Sequence, residues 1–331
     1  MSEKEILFMN PVFTHNIWGG TKLRDVFGYK IEGDDIGECW GIAAHPNGTC
    51  TIANGTYQGE KLSDLWEQHR ELFGDTKGNV FPLLIKIIDA KADLSIQVHP
   101  NDDYAAEHEN GSLGKMECWY ILDCEPDSRL VIGHNAKTHE ELEDMVNHGR
   151  WSDLIREIPV KKGDFIQIDP GTVHAIKGGI TILETQQNSD ITYRVYDYDR
   201  LSNGKPRQLH IKQSLDVITV PAAPLSDCMI ATGESKVNEL QKLIECKYYK
   251  VFHEKVVSEA AFNQEFPFLI VSVVEGSGTL NGTAVKKGDH FILPYQFGEV
   301  KLQGNLELVA STIAENHSWI QIPAHDIIKQ T

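Results

Sequence analysis

Leu94, Ile96 and Val98 alternate with Ser95, Gln97 and His99, followed by Pro100. A period of two predicts a strand with three apolar side chains on one face and three polar ones on the other. Lys115, Glu117 and Trp119 alternate in the same way with Met116, Cys118 and Tyr120. Set side by side in a small barrel, the two strands are expected to turn Gln97, His99, Lys115 and Glu117 into one cavity. An imidazole, a carboxylate and an amide oxygen on rigid strands make a site for a borderline or hard divalent ion.

Before this pair, residues 1–60 read as short strands with turns at Gly19-Gly20, Gly33-Asp34, Asn47-Gly48 and Asn54-Gly55. Leu62, Leu65, Trp66, His69, Leu72 and Phe73 form a helical stripe that Gly74 ends. The run Phe81–Asp89 is nearly all apolar and predicts a buried strand, with Lys86 as its polar exception. Asn101 is placed to cap a short helix through His108, and Thr138 with Glu141 forms a capping-box pattern for another, closed by Gly149. Strand character returns over 155–200, one more helix carries Ile211, Leu215 and Ile218, and strands resume over 247–312.

An internal repeat divides the chain. Val160-Lys161-Lys162-Gly163-Asp164 recurs as Val285-Lys286-Lys287-Gly288-Asp289, each closely followed by a proline, Pro170 or Pro294. Two related β-barrel units follow: a larger one with added helices over 1–225, and a smaller one over 226–331, with Pro221 and Pro224 near the boundary. Only the first copy carries a histidine four residues after its proline, His174; the second has Gly298 there. His174 is therefore a third strong ligand beside His99 and Glu117, and the second barrel is expected to hold no metal.

The bulk numbers narrow the partners. A formal charge of −17 over 331 residues excludes nucleic acid and anionic membrane surfaces. An anionic small substrate needs a local basic cluster acting against that field. No stretch is apolar for long enough to serve as a signal peptide or membrane span. The six cysteines lack CxxC spacing, so they read as reduced thiols in a cytoplasmic protein.

Four motifs in order carry a family resemblance: Leu94–Pro100, Gly114–Tyr120, Pro170–Ala175 and Asp190–Asp197. Together they resemble the signatures of type I mannose-6-phosphate isomerases in their short bacterial form, which are zinc-dependent proteins of the cupin superfamily. The likeness runs from Ile17-Trp18-Gly19-Gly20 to the C-terminal barrel. It implies an all-β fold of tandem cupin (jelly-roll) barrels with a helical insertion in the first. The activity implied is interconversion of mannose 6-phosphate and fructose 6-phosphate through a cis-enediolate.

By position, the resemblance gives Gln97, His99, Glu117 and His174 as ligands of one Zn2+ per subunit, with Arg194 as the active-site arginine. It places Ser95 and Arg200 near the substrate phosphate. Lys115, Glu184 and Asp190 are alternative proton-shuttling groups, and Lys86, Trp18 and Glu38 are further candidates for the sugar pocket. Gly41-Ile42 stands where a more polar residue is expected in the pocket's first wall. Two rivals remain: an iron(II) cupin doing oxygen chemistry, and a non-catalytic sugar-phosphate sensor. The subunit is expected to act on a phosphorylated hexose as a monomer or a homodimer.

Overall fold

The computed structural model describes residues 4–233 and 236–315. Two sheets form the first unit. A seven-stranded sheet runs in the order Met229–Ile230, Phe165–Ile168, Glu117–Cys124, Ile180–Gln187, Leu83–Ala90, Val12–Gly20 and Ile36–Ile42. A five-stranded sheet runs Ile155–Pro159, Arg129–His134, His174–Ala175, Ile96–Val98 and Tyr193–Tyr196. They close on each other through Ile88, Trp119, Ile121, Ile166 and Ile182 from the larger sheet and Leu130, Ile132 and Ile158 from the smaller. The expectation that the His99 and Glu117 strands lie side by side is corrected here. Ile96–Val98 and Glu117–Cys124 belong to different sheets and face each other across the barrel.

The back of the larger sheet is also covered. Leu83, Ile85, Ile87, Cys118, Tyr120, Phe165 and Leu183 pack with Tyr249, Phe268 and Ile292 of the second unit. Both faces of Leu83–Ala90 are thus buried, which is why that strand reads as an apolar run rather than an alternation. Lys86 and Ile88 take its front face.

The second unit is one eight-stranded sheet built on the 16-residue strands Tyr249–Gln264 and Gly298–Ile313, paired along their whole length. Its far side is completed by Leu7–Asn10 and Thr51–Ile52 from the start of the chain, with Leu7 opposite Ile292 and Met9 opposite Ile52. Conversely, Met229–Ile230 pairs with Phe165–Ile166 in the first unit. A cut at residue 225 therefore crosses both sheets, and residues 316–331 of the expected second unit lie outside the described residues.

The repeat folds alike in both places. Lys161 N donates to Asp164 Oδ2 at 2.9 Å and Lys286 N to Asp289 Oδ2 at 2.8 Å. Gly163 and Gly288 take φ of 87° and 91°, as such a turn requires. Each glycine N–H then reaches a neighbouring strand, Ile121 O or Val273 O, at 2.9 Å.

The caps behave as the sequence predicts. Asn101 accepts from Tyr104 N at the head of Asp102–His108, and Thr138 accepts from Glu141 N at the head of His139–Asn147. The helix from Leu62 is shorter than its stripe: it ends at Gln68, and a 3-10 turn, Arg70–Phe73, takes over around a non-helical His69. His69 faces outward beside Glu71 while Phe73 is buried. Gly41 lies against the ring of His290 in the second unit, which makes it a seam position and not a pocket wall.

Candidate active site and metal centre

Sheet register assembles the site as two facing rows. On the larger sheet Trp40 pairs with Lys86, Lys86 with Glu184, and Glu184 with Trp119. On the smaller, Gln97 sits between His174 and Arg194. Glu117 opens its strand and His99 follows the end of Ile96–Val98, so both face the gap between the rows. The polar residues that alternation predicts on the inner faces are those the barrel turns inward.

Four side chains converge at the bottom. His99 Nε2 lies 3.2 Å from His174 Nε2 and 3.4 Å from Glu117 Oε2, and His174 Nε2 lies 3.5 Å from Glu117 Oε1. The Gln97 amide end, through Nε2, is 3.3 Å from His174 Nε2. A half-turn of that amide brings its oxygen to the same place. Four donors set tetrahedrally about 2.0–2.2 Å from a common centre stand about 3.3–3.6 Å apart, so the spacing fits a zinc-sized ion.

The chemistry of the donors agrees with this. Fully buried Glu117 has Lys115 as its one close donor, 3.0 Å from Oε2, while Oε1 has no hydrogen-bond partner among the described residues. His174 Nδ1 donates to Thr172 O at 2.8 Å, which leaves the Nε2 lone pair facing the site. Burial, reinforced by Lys115, pushes the His99 imidazole down to about 3, and burial also lowers His174. Both rings are neutral, the form that ligates a metal.

Above these donors is a cavity of about 420 Å³. Of the residues singled out in the sequence, Trp18, Glu38, Lys86, Ser95, Gln97, Lys115, Glu184, Asp190 and Arg194 line it. Lys115 Nζ is 3.0 Å from Glu117 Oε2. Burial opposes the Lys115 charge, but Glu117, Glu184 and Asp190 outweigh it and hold the ammonium above its usual range. Burial, with the charge of Glu117, pushes the Glu184 carboxyl up to about 7. Trp119 Nε1 donates to Glu184 Oε2 at 2.9 Å. Lys86 is 3.7 Å from Glu38 and 3.9 Å from Glu184, and lies over the Trp40 ring.

Arg200 is placed differently from the expectation. It does not line the cavity; its guanidinium is bound to Asp197 and to the carbonyl oxygens of Asp197 and Asp93. Arg207, which the sequence reading passed over, does line it. The Asn203-Gly204 pair was the available signal, since it predicts a tight hairpin just before Arg207.

Comparison with known proteins places the chain in a family. Residues 6–125 match the model of the type I phosphomannose isomerase catalytic domain, and 239–313 match that of the mannose-6-phosphate isomerase cupin domain. Mannose-6-phosphate isomerase ManA of Bacillus subtilis (strain 168) is 52% identical over 314 residues, 93% of this chain and 98% of that protein. The mannose-6-phosphate isomerase of Streptococcus mutans is 45% identical with the same coverage. A crystal structure of the mannose 6-phosphate isomerase from Bacillus subtilis superposes with a TM-score of 0.90 at 48% identity, covering 94% of this chain and all of that one.

Proposed function

The chain belongs to the type I phosphomannose isomerase family, and on that premise we propose that it interconverts D-mannose 6-phosphate and D-fructose 6-phosphate, with one zinc ion held by Gln97, His99, Glu117 and His174. The observation that carries this reading is the convergence of those donors beneath a cavity lined by Lys115, Glu184 and Arg194. When bound, a divalent ion there supplies Lewis-acid polarisation of the sugar's carbonyl and hydroxyl oxygens.

The protein's own groups then divide the work. Moving a carbonyl between C1 and C2 requires a proton to leave one carbon and return to the other through a cis-enediolate. Glu184, which titrates near neutrality, is suited to carry that proton. Lys115 and Arg194 donate hydrogen bonds to the oxygens on which negative charge develops. Ser95, just before the strand that carries Gln97, offers its hydroxyl to the substrate from the cavity wall. Lys86, Lys115, Arg194 and Arg207 together make the basic patch that draws an anion into a protein of net charge −17. Among the described residues no helix is long and apolar enough to cross a membrane and all six thiols are free, in keeping with work in the cytoplasm.

The test is to follow mannose 6-phosphate by NMR without oxygen, using metal-stripped protein and the same protein after zinc is restored. Conversion to fructose 6-phosphate only with metal is expected. Binding without conversion would leave a sensor, and substrate consumed only after iron and oxygen are added to the same sample would leave an oxygenase.

A further inference from the structure

The cavity end beside Arg194 carries a second guanidinium. Residues 201–206 form a two-stranded hairpin, Leu201 opposite Pro206 and Ser202 opposite Lys205, around Asn203 (φ 53°) and Gly204 (φ 77°). The hairpin returns the chain to the cavity wall at Arg207. There Arg207 Nε and Nη2 donate to Asp197 Oδ2 and Oδ1 at 2.7 and 2.6 Å, a two-point fork. Asp197 is buried and takes Arg200 Nη2 on the same Oδ1 at 2.6 Å. One carboxylate therefore anchors two arginines, and only Arg207 lines the cavity. Its Nη1 has no protein partner among the described residues.

This end carries an excess of positive charge. Asp197 is shared between Arg200 and Arg207, while Arg194 Nε is buried with no acceptor. Arg194 and Arg207 both line this cavity, and after burial the charge of Arg207 is the main influence against the Arg194 cation, partly offset by Asp197 and Asp190. Two cationic donors converging on one cavity end, with their nearest carboxylate already shared, are completed by an anionic ligand.

We infer that Arg207 reads the phosphate of the hexose phosphate, and that Asp197 is a positioning residue that aims its fork; this rests on the isomerase reading above. Because Nε and one Nη2 hydrogen are tied to Asp197, Arg207 meets the cavity with a fixed edge. A phosphate oxygen is thus held at a defined place relative to the donors that surround C1 and C2. Arg200, whose donors go to Asp197 and backbone carbonyls, does not read the phosphate.

The experiment uses zinc-loaded full chain and compares wild type with Arg207→Ala, Arg207→Lys, Asp197→Asn and Arg200→Ala. It measures kcat and KM for mannose 6-phosphate, and the Kd of inorganic phosphate by calorimetry. Losing a charged hydrogen bond at a truncated side chain predicts that Arg207→Ala raises KM and the phosphate Kd by about 10- to 100-fold, with kcat little changed. Arg207→Lys falls between, because it restores charge but not the fork. Asp197→Asn raises KM in the wild-type background and adds little once Arg207 is gone, which general loosening of the fold would not produce. Arg200→Ala stays near wild type. Unchanged KM and phosphate Kd in Arg207→Ala overturn the inference, as does a rise in Arg200→Ala alone. If Arg207→Ala fails to fold, Arg207→Lys decides: wild-type KM and phosphate Kd in that variant overturn it. Wild-type protein that binds phosphate through Arg207 but converts no sugar would sink the isomerase reading and leave this one standing.

Discussion

Lys115 Nζ lies 3.0 Å from Glu117 Oε2, with both side chains buried. A lysine at the edge of a metal-ligand cluster repels the ion that the cluster binds, so its place there asks for a chemical reason. The pair is two residues apart on one alternating face, and nothing in the packing forces a cation into that position. Lys115→Met keeps the length and burial of the side chain and removes only its charge and donors. We expect kcat to fall by roughly 10²–10³-fold, the worth of one donor to a developing oxyanion, with zinc content measured by elemental analysis unchanged. Loss of zinc with the activity would make Lys115 a structural partner of Glu117 instead.

Metal removal has a readout apart from turnover. Fully buried Glu117, whose Oε1 has no hydrogen-bond partner among the described residues, and two neutral imidazoles at 3.2 Å are poorly satisfied without an ion between them. Chelation should lower the midpoint of thermal unfolding, and zinc at 100 times its Kd should restore about 2.7 kcal/mol. His99→Ala and His174→Ala should fold but lose this zinc-dependent increment. An identical melting curve with and without zinc would reject the site.

Glu184→Gln tests whether Glu184, rather than Lys115, carries the proton. Burial and Glu117 push the Glu184 carboxyl up to about 7, so the ionised form that accepts a proton is lost as pH falls through that region. Wild-type kcat should therefore decline on the acid side of neutrality. Glu184→Gln should be slower by at least about 10²-fold and lack that limb. A Glu184→Gln enzyme with wild-type turnover, beside an inactive Lys115→Met, would transfer the base role to Lys115.

Alternation in the sequence identified which residues share a face, and with it Gln97, His99, Lys115 and Glu117, whereas Glu184 came only from the family resemblance. It does not say which strand lies beside which, so the facing of Ile96–Val98 and Glu117–Cys124 across two sheets was not legible. Nor was the exchange of Leu7–Asn10 and Met229–Ile230 between units, because short strands pair by tertiary context more than by pattern. Thr138 and Asn101 were legible because a cap is a local hydrogen bond. His69 was not, since a helical stripe continues through a 3-10 turn whose buried Phe73 keeps nearly the same spacing. Arg207 fell between: its Asn-Gly turn is local, but where the returning arginine points is fixed by its contact with Asp197, which no local pattern announces.

The seam between units makes a packing prediction. A Cβ on Gly41 would stand 2.4–2.5 Å from atoms of the His290 ring. That ring cannot swing away freely, because Ser272 Oγ holds Nδ1 at 2.8 Å and Tyr29 OH holds Nε2 at 3.0 Å. Gly41→Ala should cost about 1–3 kcal/mol in urea unfolding. His290→Ala should relieve part of that cost in the double variant. Additive effects would mean that the two residues do not meet.

The last prediction concerns Glu254, which has no part in the proposed chemistry. It is 1% exposed, and neither of its oxygens has a hydrogen-bond partner. It shares a strand face with Phe252 and Val256 and lies opposite Leu308, all three in the second unit's apolar cluster. Among the described residues the charge acting on it is that of His253, which is itself engaged by Glu307 at 3.0 Å. Burial pushes the Glu254 carboxyl up to about 7. With a folded value above the unfolded one, this group costs nothing below about pH 4.5, where both states are protonated. Between there and pH 7 the unfolded chain ionises while the fold holds its proton, so stability falls as pH rises. Above pH 7 the loss levels off, on the order of 3 kcal/mol. Glu254→Met removes the titration at similar volume. In zinc-loaded protein, the stability gained by Glu254→Met should grow between pH 4.5 and 8, with contributions from the other carboxylates cancelling in the difference. Parallel stability–pH curves would show that Glu254 finds water or a partner in solution.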